Sequence, residues 1–87
     1  MQLGDLVGAA AAALTTAAFL PQAVLTLRTR NTDGVSLSMY ALFMTGVALW
    51  FAYGVFLVSW PIIIANAITF ALAACVLWVK VRNVLNA

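Results

Sequence analysis

Charge is almost missing from this chain. Lysine and arginine number four, aspartate and glutamate two, and histidine is absent. Without histidine the chain lacks the side chain most often used for acid–base work and metal ligation near neutral pH. No acid–base pair, metal cluster or activated nucleophile can be picked out, so enzyme chemistry is disfavoured and no cofactor or metal is expected. The formal net charge of +2 rests on so few groups that no basic face exists to bind nucleic acid. Cys75 is the only cysteine, which excludes a disulfide within the chain. It lies inside an apolar run and reads as a small buried hydrophobe.

What remains is hydrocarbon. Hydrophobic residues make up 67% of the 87 residues and charged residues 7%, whereas soluble domains carry roughly a quarter charged residues. A soluble chain this short could not hide so much apolar surface, because small domains have the poorest ratio of interior to surface. The sequence therefore reads as an all-α integral membrane protein, a single unit over 1–87 with spans at about 5–27, 38–57 and 61–79. Each span has about 20 residues, enough at about 1.5 Å per residue to cross about 30 Å of hydrocarbon.

The first span starts near Asp5, a carboxylate suited to a helix N-terminus. The segment before it has no positively charged n-region and reads as mature protein. Gly4, Gly8 and the following alanines recur at the small-xxx-small spacing that lets a second helix approach closely. A polar turn over 28–36 contains the turn dipeptide Asp33-Gly34, and Ser36 or Ser38 can cap the next helix. Val58-Ser59-Trp60 is too short to make the second and third spans anything but antiparallel neighbours. Pro61 suits the first helical turn, where its missing N–H costs nothing. Trp60 at one edge, with Tyr40 and Trp78 at the other, fits interfacial aromatic belts.

Topology follows from four residues. Arg28 and Arg30 follow the first span, Lys80 and Arg82 the third, so all four share one side. The positive-inside rule then puts the N-terminus outside and the C-terminus in the cytoplasm of a cell's inner (plasma) membrane.

Inside the spans, four residues are out of place. Pro21 removes a helix hydrogen bond in a medium with no water to replace it. Gln22 beside it adds what reads as a buried amide, so the pair reads as a hinge that repacks as it bends. Trp50 lies near mid-span, away from the interfaces, and Asn66 has only aliphatic neighbours. Counted from the short turn, they lie about 12 Å and about 7.5 Å below the outer edge. Taken singly, each reads as a packing residue. Together they supply a ring face and a hydrogen-bonding amide, which match the C–H face and hydroxyl rim of a sugar. Met39, Phe43, Gly46, Trp50, Tyr53 and Gly54 share a helical stripe, with the glycines leaving room beside Trp50 and Tyr53. Asn66, Phe70 and Leu77 share another on the third span. No Asp, Glu, His, Lys or Arg lies deep in any span, so ion coupling is not expected and passive movement is favoured.

In order and spacing, Pro21-Gln22, the turn ending Gly34-Val35-Ser36-Leu37, the stretch from Gly46 to Gly54, and Asn66 resemble the PQ-loop proteins, and among them the half-size bacterial SemiSWEET sugar transporters. The resemblance implies a parallel homodimer of three-helix units around a central sugar path, with Trp50 and Asn66 of both protomers holding the sugar. It also implies that Pro21 and Gln22 let the first helix bend in alternating access. A homodimer is expected on size as well, since three helices of about 10 Å diameter enclose no lumen wide enough for a sugar. The resemblance also implies an outer gate at Tyr53, helped in some relatives by a charged residue about a turn later; here Val55 to Ser59 are uncharged, so an apolar outer gate of Tyr53 and Leu57 is expected, with Met39 and Phe43 toward the cytoplasm. The expected partners are a sugar, membrane lipid and a second copy. The rival readings are a small structural or interaction subunit and a PQ-loop transporter of another small solute.

Overall fold

A computed structural model describes residues 3–86. Over that range the chain forms three helices and no strand: α1 Leu3–Thr29, α2 Leu37–Leu57 and α3 Trp60–Leu85. All three are long and apolar enough to cross a membrane. The protein is an all-α membrane protein.

The ends of the helices follow local chemistry. Past α1, Arg30 takes a left-handed conformation (φ 56°), and its N–H donates to the Thr26 carbonyl at 2.8 Å. The Val35 N–H then donates to the Thr32 carbonyl at 2.9 Å, closing a turn over Asp33-Gly34. The Asn31 Oδ1 accepts from the Asp33 N–H at 3.1 Å. Of the two candidate caps, Ser36 takes the position: its Oγ accepts from the Met39 N–H at 3.2 Å. At the far end of α2, Val58 is left-handed (φ 52°), which costs a β-branched residue about 1–2 kcal/mol. That conformation brings the Ser59 N–H to the Gly54 carbonyl at 2.9 Å and satisfies the last turn. α3 begins one residue before Pro61 and runs to Leu85, beyond the apolar span proper.

The spatial order differs from the chain order. α3 packs against both α1 and α2. Between α1 and α2, rings meet: Phe19 lies 6.4 Å from Tyr40 and 5.7 Å from Phe43 between centroids. Small and β-branched side chains make α3 the shared partner: Ala73 and Val76 are fully enclosed, and Thr69 and Val79 are buried. Ala23 of α1 and Val47 and Gly54 of α2 are buried against it. Most of this core, from Ala23 and Ala73 to Val79, lies toward the end that carries the basic residues.

That same end is tied by α3. The Lys80 Nζ donates to the Thr32 carbonyl at 3.0 Å, and the Asn83 Nδ2 donates to the Arg30 carbonyl at 2.8 Å and the Thr32 Oγ1 at 2.9 Å. Thr32 is thereby buried, although it belongs to a loop.

Three expectations change. Cys75 is exposed on the outside of α3. Gln22 is exposed as well, because three helices cannot cover both sides of α1. By spacing it continues the row of Ala11, Thr15 and Ala18, and α1 remains helical through Pro21. Gly54 does not make room for Trp50 or Tyr53. It is buried against α3, where an added Cβ would lie 2.8 Å from the Ile62 Cγ2 and 3.2 Å from the Ile63 nitrogen.

Gly54→Ala is therefore expected to push α2 off α3 and cost about 1–3 kcal/mol, read as a lower unfolding temperature in detergent. Gly46→Ala is the control. Nothing lies within 4 Å of its added Cβ, and alanine is the better helix former by up to about 1 kcal/mol, so stability should hold or rise. Equal losses at the two positions would refute this account of the α2–α3 contact.

Candidate functional site

Because α1 and α2 stand on either side of α3, a groove of about 700 Å³ opens between them. α3 supplies its floor with Ile62, Ala65, Asn66 and Thr69. The α1 wall is low, since Gly8, Ala11, Ala12 and Ala18 have little or no side chain. The α2 wall is Phe43, Val47 and Trp50. Toward the basic end the groove closes where Phe19 meets Phe43. None of the lining side chains is ionisable.

Trp50 and Asn66, singled out separately in the sequence, line this one groove. Trp50 is 56% exposed, and its ring meets Tyr53 edge-on at 5.6 Å and 80°. Asn66 is half-buried, and its Nδ2 donates to the Ile62 carbonyl at 2.8 Å, one turn back in its own helix. A structural asparagine in hydrocarbon bonds to a neighbouring helix; among the described residues this one bonds only within α3. Its Oδ1 and second N–H have no partner among the described residues.

The helix-to-helix polar link falls elsewhere. The Thr16 and Thr69 hydroxyls lie 3.1 Å apart between α1 and α3, and the Thr16 Oγ1 also donates to the Ala65 carbonyl at 3.4 Å. Thr15 donates to the Ala11 carbonyl of its own helix at 3.0 Å. All three threonines line the groove, and sequence reasoning passed over them. The signal was the Thr15-Thr16 pair inside an alanine run, at helical depths comparable to that of Asn66.

Of the other singled-out residues, Phe43 lines the groove, whereas Met39, Tyr53 and Leu57 are exposed beside it and Pro21 and Gln22 lie beyond it. The α2 face toward the groove is Phe43, Val47 and Trp50, rather than the expected stripe through Gly46, Tyr53 and Gly54. The close approach of Gly54 to Ile62 sets that rotation. On α3, Phe70 and Leu77 likewise leave the lining to Ala65 and Thr69.

Residues 3–63, which contain Pro21-Gln22, match the family described as "PQ loop repeat". The chain belongs to the PQ-loop family. Within that family it is similar to proteins named "Sugar transporter SemiSWEET". The one from an Escherichia coli strain is 49% identical over 78 residues, 90% of this chain and 88% of the relative. The one from Leptospira biflexa is 42% identical over 79 residues, 91% of this chain and 93% of the relative. A solved structure described as "Crystal structure of SemiSWEET in the inward-open conformation" matches with a TM-score of 0.89 at 44% identity, covering 99% of this chain and all of that one. The PQ-loop dipeptide and the groove thus sit in one three-helix unit of SemiSWEET form.

The hydrogen bonds separate two roles by stability. Thr69→Val removes the hydroxyl link between α1 and α3 and should cost about 0.6–2 kcal/mol. Asn66→Ala removes only a bond within α3, so its unfolding temperature should stay closer to that of the unaltered protein. A larger loss for Asn66→Ala than for Thr69→Val would make Asn66 a packing residue.

Proposed function

We propose that the protein is a facilitative sugar transporter, a uniporter for a mono- or disaccharide, working by alternating access as a parallel homodimer. One observation carries the reading: an indole and a half-free amide, Trp50 and Asn66, line one groove without ionisable groups, in a chain whose curated relatives are named sugar transporters. The ring offers a flat apolar face to a sugar's C–H face. The amide offers a donor and an acceptor to hydroxyls. Threonine oxygens on the same wall add acceptors. A groove of about 700 Å³ lies within the usual range for small-molecule sites.

The groove is open along one side, and a second copy facing it would close the path. Both copies obey the same charge asymmetry, so they stand parallel, N-termini outside and C-termini in the cytoplasm. Pro21 and Gln22 serve as the hinge of α1. Tyr53 and Leu57 form the outer gate, Met39 and Phe43 the inner one.

Sugar flux into liposomes holding only this protein tests the reading, and its absence would favour a structural subunit or another solute. Trp50→Ala and Asn66→Ala each delete a contact in both protomers, so flux per folded dimer should fall roughly tenfold or more. Pro21→Ala should also slow flux while leaving assembly intact, and wild-type flux would make Pro21 a tolerated kink.

Because the groove holds no ionisable side chain, movement should be downhill only. A proton or sodium gradient imposed on the same liposomes should produce no accumulation above equilibrium. Sustained uphill uptake would reveal a coupling group, with Asp5 the first to test.

A further inference from the structure

A second concavity, of about 430 Å³, lies at the basic end of the chain. Leu27 of α1 and Arg30 just past its end line it on one side, and Ala74, Cys75, Trp78 and Val79 of α3 on the other. At about 100° per residue these α3 positions point roughly opposite to Ile62, Asn66 and Thr69. This hollow therefore faces away from the first groove and from any second copy docked over it.

Its chemistry has two parts. The body is apolar, and Cys75 and Trp78 are both exposed along it. The end is cationic: Arg30 lines it, and the Arg82 guanidinium lies 5.6 Å over the Trp78 ring. Among the described residues neither arginine makes an ion pair. Lys80 is different, because its Nζ is occupied by the Thr32 carbonyl. Two guanidinium groups without an ion pair among the described residues, Arg30 in the lining and Arg82 over the Trp78 ring, thus stand at the end of a mostly apolar slot.

We propose that this hollow binds one anionic phospholipid per chain. The acyl chain lies along Leu27, Ala74, Cys75 and Val79. The phosphate lies between Arg30 and Arg82, since planar guanidinium groups bind phosphate oxygens bidentately. Basic hollows between membrane helices on the cytoplasmic side take anionic head groups. A zwitterionic lipid fits less well because its own cation stands beside the two arginines. Only the choice of leaflet rests on the orientation proposed above; the binding itself does not.

Native mass spectrometry on the detergent-purified protein, given phosphatidylglycerol or phosphatidylcholine of identical chains, tests this. One phosphatidylglycerol per chain should be retained, on monomers as well as dimers, about tenfold or more in preference to phosphatidylcholine. The double variant Arg30→Gln/Arg82→Gln should erase the preference, whereas Arg28→Gln, outside the hollow, should keep it. Cys75→Phe, which fills the slot and keeps both charges, should lower retention. Thermal unfolding of each variant checks that it is folded. Glycerol phosphate, which lacks acyl chains, should not displace the lipid at equal concentration. Equal retention of the two lipids, a preference surviving the double variant, lipid bound only between two chains, or displacement by glycerol phosphate would each overturn the proposal. Sugar flux enters none of these readings, so failure here leaves the transport reading untouched.

Discussion

Ala73 and Val76 of α3 have no exposed surface, and that close contact is the constraint on which the rest of the structure depends. In hydrocarbon, apolar side chains gain nothing by leaving lipid for protein, so helices associate through dispersion at short range and a few hydrogen bonds. Short range requires small residues. α3 has them on the faces it presents to α1 and α2, and Gly54 of α2 provides a matching flat surface opposite Ile62. Both outer helices therefore dock on α3 instead of on each other. The groove is the space left by that choice, and the ring contact of Phe19 with Phe43 marks where it ends.

Polar groups are distributed to suit. The hydroxyls of Thr16 and Thr69 are used between helices, and that of Thr15 is used on its own turn. Asn66 spends one N–H on the Ile62 carbonyl and keeps the remainder of its amide for the groove. An amide oriented in this way by its own helix suits the proposed role, since a carrier needs hydrogen bonds strong enough to admit a solute and weak enough to release it. At the basic end, Lys80 and Asn83 hold the α1–α2 loop to α3, so any bending of α1 at Pro21 occurs between two anchored segments: the threonine link and the loop clamp.

Much was legible in the residues themselves. The three helices, their apolar length, the turn at Asp33-Gly34 and a serine cap at Ser36 or Ser38 follow from local rules that do not depend on partners, and the structure places Ser36 at the cap. The groove was half legible. Trp50 and Asn66 stood out because an indole at mid-span and an isolated amide are costly in lipid, and cost is visible one residue at a time. The threonines were not, because a hydroxyl can satisfy itself on its own helix, and nothing in the sequence separates Thr15, which does, from Thr16, which reaches α3.

The sequence by itself determined the number of spans, the side on which the basic residues gather and the residues foreign to hydrocarbon. Each of these is a property of one segment against its solvent. Only the tertiary structure decided that α3 stands between α1 and α2, that Val47 rather than Gly46 turns to the groove, that Gly54 is a contact rather than a clearance, and that Gln22 and Cys75 face outward. The physical reason is common to all. A soluble helix shows its buried face by a polar back, but a membrane helix is apolar all round, because lipid and protein interior make the same demand. Its rotation is then fixed by fit between neighbours, which no single span contains.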